Sequence, residues 1–135
     1  MDKELQKIRE KKMNEMIMKS GEGEMKTEIE VNDNDFEKNV IESSNEVPIV
    51  VDFWSPMCMP CLVLGPVLEK LAKNYNGKFV LAKINVSQNT ATAQAYGITS
   101  IPAVKLFKKG KVVDEFVGAL LEPQVVEWIE KNLAK

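Results

Sequence analysis

The stretch Val50-Val51-Asp52-Phe53-Trp54-Ser55-Pro56-Met57-Cys58-Met59-Pro60-Cys61 decides how the rest of the chain is read. Ile49 to Trp54 is a nearly unbroken apolar run, the pattern of a strand covered on both faces, and from Cys61 onward the residues take on helical character. The two cysteines therefore fall where a strand hands over to a helix. At such a junction the unpaired backbone N–H groups and the positive end of the helix dipole stabilise an anion. A Cys58 thiolate is such an anion, so Cys58 is expected to be the solvent-facing nucleophile. Cys61, one turn later, is expected to be shielded and to attack Cys58 from behind, and the three-residue spacing lets the two sulfurs meet in a disulfide. Two other readings of the same residues stand beside this one. The pair forms half of a zinc site, or both cysteines are inert core side chains. Zinc usually takes four ligands, and with 2 Cys and 0 His in the chain it would need carboxylates or a second chain. Unpaired cysteines, for their part, are often buried as small apolar groups.

Working outward, 135 residues with 44% hydrophobic content suffice for one domain with a sizeable core and a small appendage. A net charge of −2 and a pI near 5.3 provide no long-range attraction for nucleic acid or anionic lipid. Proteins and small molecules are the expected partners, with no nucleic acid and no membrane. The beginning, Met1-Asp2-Lys3-Glu4-Leu5-Gln6, lacks the apolar core of a signal peptide, and its acids argue against a transit peptide. A cytoplasmic location is expected, where a reducing thiol pool favours redox chemistry for a Cys-x-x-Cys pair.

Residues 1 to about 19 read as a charged helix-forming segment whose apolar residues, Leu5, Ile8, Met13, Met16 and Ile17, make a patchy stripe. Either it is a solvated helix or it docks a partner through its methionines. Ser20-Gly21-Glu22-Gly23-Glu24 reads as a flexible linker, which sets an extension at residues 1–27 and a compact domain at 28–135. Within the domain, Glu28 to Val31 is expected to be a strand, and Asn32-Asp33-Asn34-Asp35 to cap a helix through Phe36, Val40 and Ile41. Pro48 opens the central strand. A long helix follows the cysteines through Leu64, Val67, Leu68, Leu71, Ala72 and Tyr75, with Pro66 expected to kink it and Asn76-Gly77 to stop it. A strand over Lys78 to Asn85, a helix through Thr92 to Tyr96, a hairpin of Ala103–Phe107 and Val112–Val117, and a last helix from about Pro123 complete the reading. The β, α, β alternation implies parallel pairing across a right-handed crossover.

Asp52-Phe53-Trp54, Cys58-x-Pro60-Cys61, Pro66, Ala82-Lys83, Tyr96-Gly97-Ile98, Ile101-Pro102, Leu106-Phe107-Lys108-x-Gly110 and Val117-Gly118-Ala119 together resemble the motifs of the thioredoxin family, in order, over about residues 29 to 135. The resemblance implies an α/β thioredoxin fold: a central mixed five-stranded sheet flanked by four helices, with the N-terminal extension, helical or disordered, added. It implies a thiol-disulfide oxidoreductase that reduces protein disulfides, with Cys58, Cys61, Asp52 and Lys83 catalytic. Asp52, beside Lys83, would manage protons for Cys61; a carboxylate among apolar neighbours is costly unless neutral, paired or useful. The bland alternative is a structural Asp52 bonded to Lys83 alone. Pro102 is implied to follow a cis peptide bond, and Ile101 to pair with substrate backbone. The implied substrate surface comprises Trp54, Met59, Pro60, Ile101, Pro102, Gly118 and Ala119. No metal and no cofactor beyond the Cys58–Cys61 disulfide is implied. Disulfide-containing proteins and a thioredoxin reductase are the implied partners of a monomer.

The sequence departs from the family pattern at Met57, where a Trp is usual, at Met59, where Gly is usual, and at Leu62, where a cation is usual. No His lies between the cysteines as in oxidising relatives. These differences point to a reductant with its own substrate preference. A disulfide isomerase or oxidase is the alternative among enzymes, and a partner-binding module docking through the N-terminal helix is the alternative outside them.

Overall fold

The computed structural model describes residues 26–135. The expected helix over residues 1 to 19 and the linker at Ser20 to Glu24 lie outside the described residues. Five strands form one sheet: β1 (Glu28–Val31), β2 (Ile49–Trp54), β3 (Val80–Asn85), β4 (Ala103–Lys108) and β5 (Lys111–Val117). Their order is β1-β3-β2-β4-β5, with β1, β3 and β2 parallel and β4 and β5 antiparallel to their neighbours. The helices are α1 (Glu37–Glu42), α2 (Met59–Asn74), α3 (Thr90–Ala95) and α4 (Glu122–Leu133).

Because side chains alternate across a strand, β2 divides its residues between two cores. Val50 joins Leu81, Val104 and Leu106 against Leu64, Leu68 and Leu71 of α2 and Val125, Trp128 and Ile129 of α4. Ile49, Val51 and Phe53 join Ala82, Ile84, Ala103 and Phe107 on the other face, with Phe36 and Val40 of the α1 segment and Tyr96 behind α3. Phe36, Tyr96 and Phe107 lock this second core, with ring centroids 5.5 to 5.8 Å apart. A strand covered on both faces has no polar side, which is why the apolar run in β2 is almost continuous.

The first helical segment differs from expectation. It is wound with π-type turns, continues into a 3-10 turn at Ser43–Asn45, and has no side-chain cap at Phe36. The expected capping residues are used elsewhere. Asn32 and Asp35 close their own turn, the Asn32 N–H donating to Asp35 Oδ1 at 2.8 Å and the Asp35 N–H to Asn32 Oδ1 at 3.0 Å. Asp33 instead caps α3, accepting from the Thr92 N–H at 2.9 Å and the Ala91 N–H at 3.3 Å. Two boundaries also shift: β3 starts at Val80, not Lys78, and α3 at Thr90, not Thr92.

Pro66 does not interrupt α2, which runs from Met59 to Asn74. The carbonyl left without a donor by Pro66 belongs to Leu62, and both residues lie on the exposed side of the helix, so that carbonyl is not forced to be buried unpaired. The helix ends as expected, the chain reversing through positive φ at Asn76 and Gly77. The hairpin turns through Lys109 and Gly110, both at positive φ, and is pinned by the Gly110 N–H donating to Ser44 Oγ at 2.8 Å.

Candidate functional site

The site forms at the C-terminal end of β2. Ser55 accepts from the Cys58 N–H through its carbonyl at 3.1 Å and from the Met57 N–H through its hydroxyl at 3.2 Å, so a tight turn carries the chain into α2. Ser55 was not singled out from sequence, although the Ser55-Pro56 dipeptide is a turn signal. Cys58 has extended backbone angles and is the N-cap; the helix begins at Met59, two residues before the expected start, with Pro60 in its first turn. The Cys61 N–H donates to Cys58 Sγ at 3.2 Å. One of the unpaired donors of the helix terminus is thus aimed at the sulfur that would carry charge. Cys61 is only 2% exposed, whereas Cys58 is half-exposed. The two are joined as a disulfide with Cα atoms 5.2 Å apart.

Opposite the cysteines lies the Ile101–Pro102 loop, whose peptide bond is cis. Cys58 Sγ is 3.8 Å from the Ile101 carbonyl oxygen. Among the described residues no backbone hydrogen bond engages the Ile101 N–H or carbonyl, so both remain available to an added strand. The Gly118 N–H donates to the Pro102 carbonyl at 2.8 Å, which brings the end of β5 to the same loop. Gly118 has φ +98 with open space where a Cβ would stand, so its backbone conformation and not crowding calls for glycine. Of the residues expected to form the contact surface, Met59, Pro60 and Ala119 are exposed, Ile101 and Gly118 are half-buried and Pro102 is buried. Trp54 is half-buried like Ile101 and Gly118; its ring centroid lies 5.2 Å from the Lys83 ammonium, and its indole N–H has no partner among the described residues. Met57, outside the expected surface, is 89% exposed beside Cys58.

Asp52 points to the face covered by α2 and is 1% exposed. Neither carboxyl oxygen has a hydrogen-bond partner among the described residues. Burial pushes its pKa up to about 7, against the pull of Lys83, and the nearby Glu69 charge pushes the same way. Lys83 stands directly across from Asp52, on the same rung of the sheet, but its ammonium bonds Glu69 of α2 at 2.5 Å. The reading of Asp52 as a structural group bonded to Lys83 is therefore overturned. Burial works against the Lys83 charge, yet the Glu69 hydrogen bond and charge, with Asp52 and Glu28, hold its pKa above the ordinary value. Glu69 was missed from sequence; an acid one position past the buried Leu68 looks like an ordinary helix-surface residue.

The arrangement carries a dithiol–disulfide pair with unequal sulfurs, a buried carboxyl group without a hydrogen-bond partner among the described residues, and a free strand edge. The comparisons agree with it. The Thioredoxin family model matches residues 27–131. The thioredoxin of Chlorobaculum thiosulfatiphilum is 43% identical over 104 residues, covering 77% of this chain and 94% of that protein. Thioredoxin 1 of a Nostoc species is 39% identical over 109 residues, covering 81% of this chain and all of that protein. The thioredoxin of Haemophilus influenzae is 42% identical over 105 residues, covering 78% and 96%. With this geometry and these matches, the chain belongs to the thioredoxin family.

Proposed function

We propose that this chain reduces protein disulfides by cycling Cys58 and Cys61 between dithiol and disulfide. The observation that carries the reading is the Cys61 N–H aimed at Cys58 Sγ at 3.2 Å, with Cys61 itself buried. In the reduced protein that donor and the α2 terminus favour the Cys58 thiolate, while burial keeps Cys61 a neutral thiol. The Cys58 thiolate attacks a substrate disulfide, one substrate sulfur leaves as a thiolate, and a mixed disulfide remains. The Cys61 proton passes to Asp52, the Cys61 thiolate attacks Cys58 Sγ, and the second substrate sulfur leaves. Two electrons have then moved from the cysteine pair to the substrate. A thioredoxin reductase restores the dithiol, and no cofactor beyond the cysteine pair enters the cycle.

Protein substrates suit the shape of the site. A concavity of about 700 Å³, lined by Pro48, Tyr75 and Lys109, lies at the other end of β2. The site presents a free backbone edge at Ile101 and the exposed Met57 and Met59, which fit an extended peptide docked across a flat apolar surface. A cytoplasmic location and a monomeric state belong to the same proposal; separately, no helix among the described residues is long and apolar enough to cross a membrane. Purified dithiol protein is expected to reduce a protein disulfide catalytically. Cys58→Ser should abolish turnover, and Cys61→Ser should stop after one event with substrate trapped on Cys58. A trapped adduct on Cys61 in the Cys58→Ser protein, with none on Cys58 in the Cys61→Ser protein, would reverse the two roles. Equilibration with a glutathione redox buffer is expected to leave the pair mostly in the disulfide form, because a low-potential dithiol gives its electrons to the buffer; a pair held mostly reduced by that buffer would instead mark an oxidase or isomerase.

A further inference from the structure

Around Asp52 the sheet and α2 assemble one cation and several acids. β2 supplies Asp52 and the Trp54 ring, β3 supplies Lys83 and α2 supplies Glu69. On β1, Glu28 lies near enough to act on Lys83, and Lys73 of α2 acts on Glu28; β4 places the uncharged Val104 opposite Asp52. The Lys83 ammonium is held by Glu69 at 2.5 Å and lies 5.2 Å from the centroid of the Trp54 ring. Gly65 borders the same slot: a Cβ there would stand 3.7 Å from Lys83 Nζ and 4.0 Å from Glu69 Oε2. The carboxyl group of Asp52, on the same rung as the lysine, has no hydrogen-bond partner among the described residues.

We propose that Glu69 is a positioning residue: by holding the Lys83 ammonium against α2, it denies Asp52 an ion-pair partner and so keeps that carboxyl group able to take up and release a proton. The inference rests on the reading of Asp52 as the proton carrier for Cys61, and it concerns how that carrier is kept ready. A buried carboxylate beside a free cation stays ionised and is a poor proton acceptor. A buried carboxyl whose only neighbouring cation is engaged elsewhere keeps its proton to higher pH. Glu69 acts in two separable ways, through its own negative charge and through its hold on Lys83. The second makes a definite demand, because its effect must disappear when Lys83 is absent.

The test titrates the Asp52 carboxyl carbon by NMR in the disulfide form of wild type, Glu69→Gln, Lys83→Met and the double variant, alongside pH profiles of protein-disulfide reduction by the dithiol form. Glu69→Gln is expected to lower the Asp52 midpoint by about one pH unit or more, and the acid limb of the rate profile, set by the Asp52 carboxylate that accepts the Cys61 proton, should move with it. Lys83→Met should raise the midpoint. In the Lys83→Met background, adding Glu69→Gln should move it by much less than it does in wild type. An unchanged midpoint in Glu69→Gln, or an equal shift with and without Lys83, would overturn the positioning role. Asp52→Asn keeps the two readings apart: if its rate profile matches wild type, Asp52 is not the proton carrier, whatever Glu69 does to its titration. Thermal unfolding of each variant confirms that the profiles compare folded proteins.

Discussion

A carboxyl group as deeply buried as that of Asp52 makes stability depend on pH in the direction opposite to most native carboxylates. Its folded-state pKa is about 7 against an ordinary value of 3.8. Between those values the folded protein holds a proton that the unfolded chain has released, so stability falls as pH rises and levels off above about 7. The loss is on the order of 4 kcal/mol at 1.36 kcal/mol per unit. Asp52→Asn, which cannot ionise, is expected to gain stability over wild type on going from pH 5 to pH 8. Urea midpoints of both proteins at the two pH values check it, and a constant difference between them would refute it. Met57 and Met59 belong to the same scale. At 89% and 71% exposed they contribute little packing, so Met57→Ser and Met59→Ser should leave stability within about 0.5 kcal/mol. If they form the docking surface, kcat/KM for protein disulfides should drop several-fold while reaction with a small aromatic disulfide is unchanged.

Elements are held to one another by a few contacts that link distant stretches of chain. The Tyr75 hydroxyl, at the end of α2, donates to Glu130 of α4 at 2.5 Å, and the bond to that carboxylate, with burial and its charge, pushes the Tyr75 pKa up to about 12. Glu130→Gln is expected to bring one of the 2 tyrosines back toward its ordinary range in an ultraviolet titration, leaving Tyr96 where it is. The packing of α2 on the sheet depends on Leu64, Leu68 and Leu71. Leu68→Ala should cost about 2–5 kcal/mol, because the fully buried side chain leaves a cavity between α2 and the sheet. α3 depends on a cap borrowed from another part of the chain. Asp33→Ala should therefore speed amide exchange at Ala91 and Thr92 selectively, although the substitution lies next to β1.

Across the whole molecule, all rungs of the described sheet and both cores lie within residues 28–135. A chain starting at Lys26 is expected to retain the unfolding midpoint and general reductase activity of the full chain. Loss of activity with one particular partner only would assign the first 25 residues a docking role, and a lowered midpoint would show that they belong to the folded unit. What was legible before the structure follows from what is local. The apolar run of β2, the Cys-x-x-Cys at its end, the Asn76-Gly77 and Lys109-Gly110 reversals and the helical spacing of α2 and α4 each lie within one continuous stretch. Their physics needs only nearest neighbours along the chain: alternation, helical period, turn conformation and the unpaired donors of a helix start.

The sequence by itself therefore determined the strand-to-helix junction that makes Cys58 and Cys61 unequal, and, through the ordered motifs, the family and the loop that faces them. Only the tertiary structure decided which charges meet. Asp33 caps α3 instead of its own helix, and Lys83 reaches Glu69 on α2 instead of Asp52 directly across from it on β2. A short polar side chain or a long flexible lysine has several acceptable partners within its reach. Which one it takes is set by how closely the packed cores bring separate elements together, and the spacing of residues along a chain carries no record of that distance.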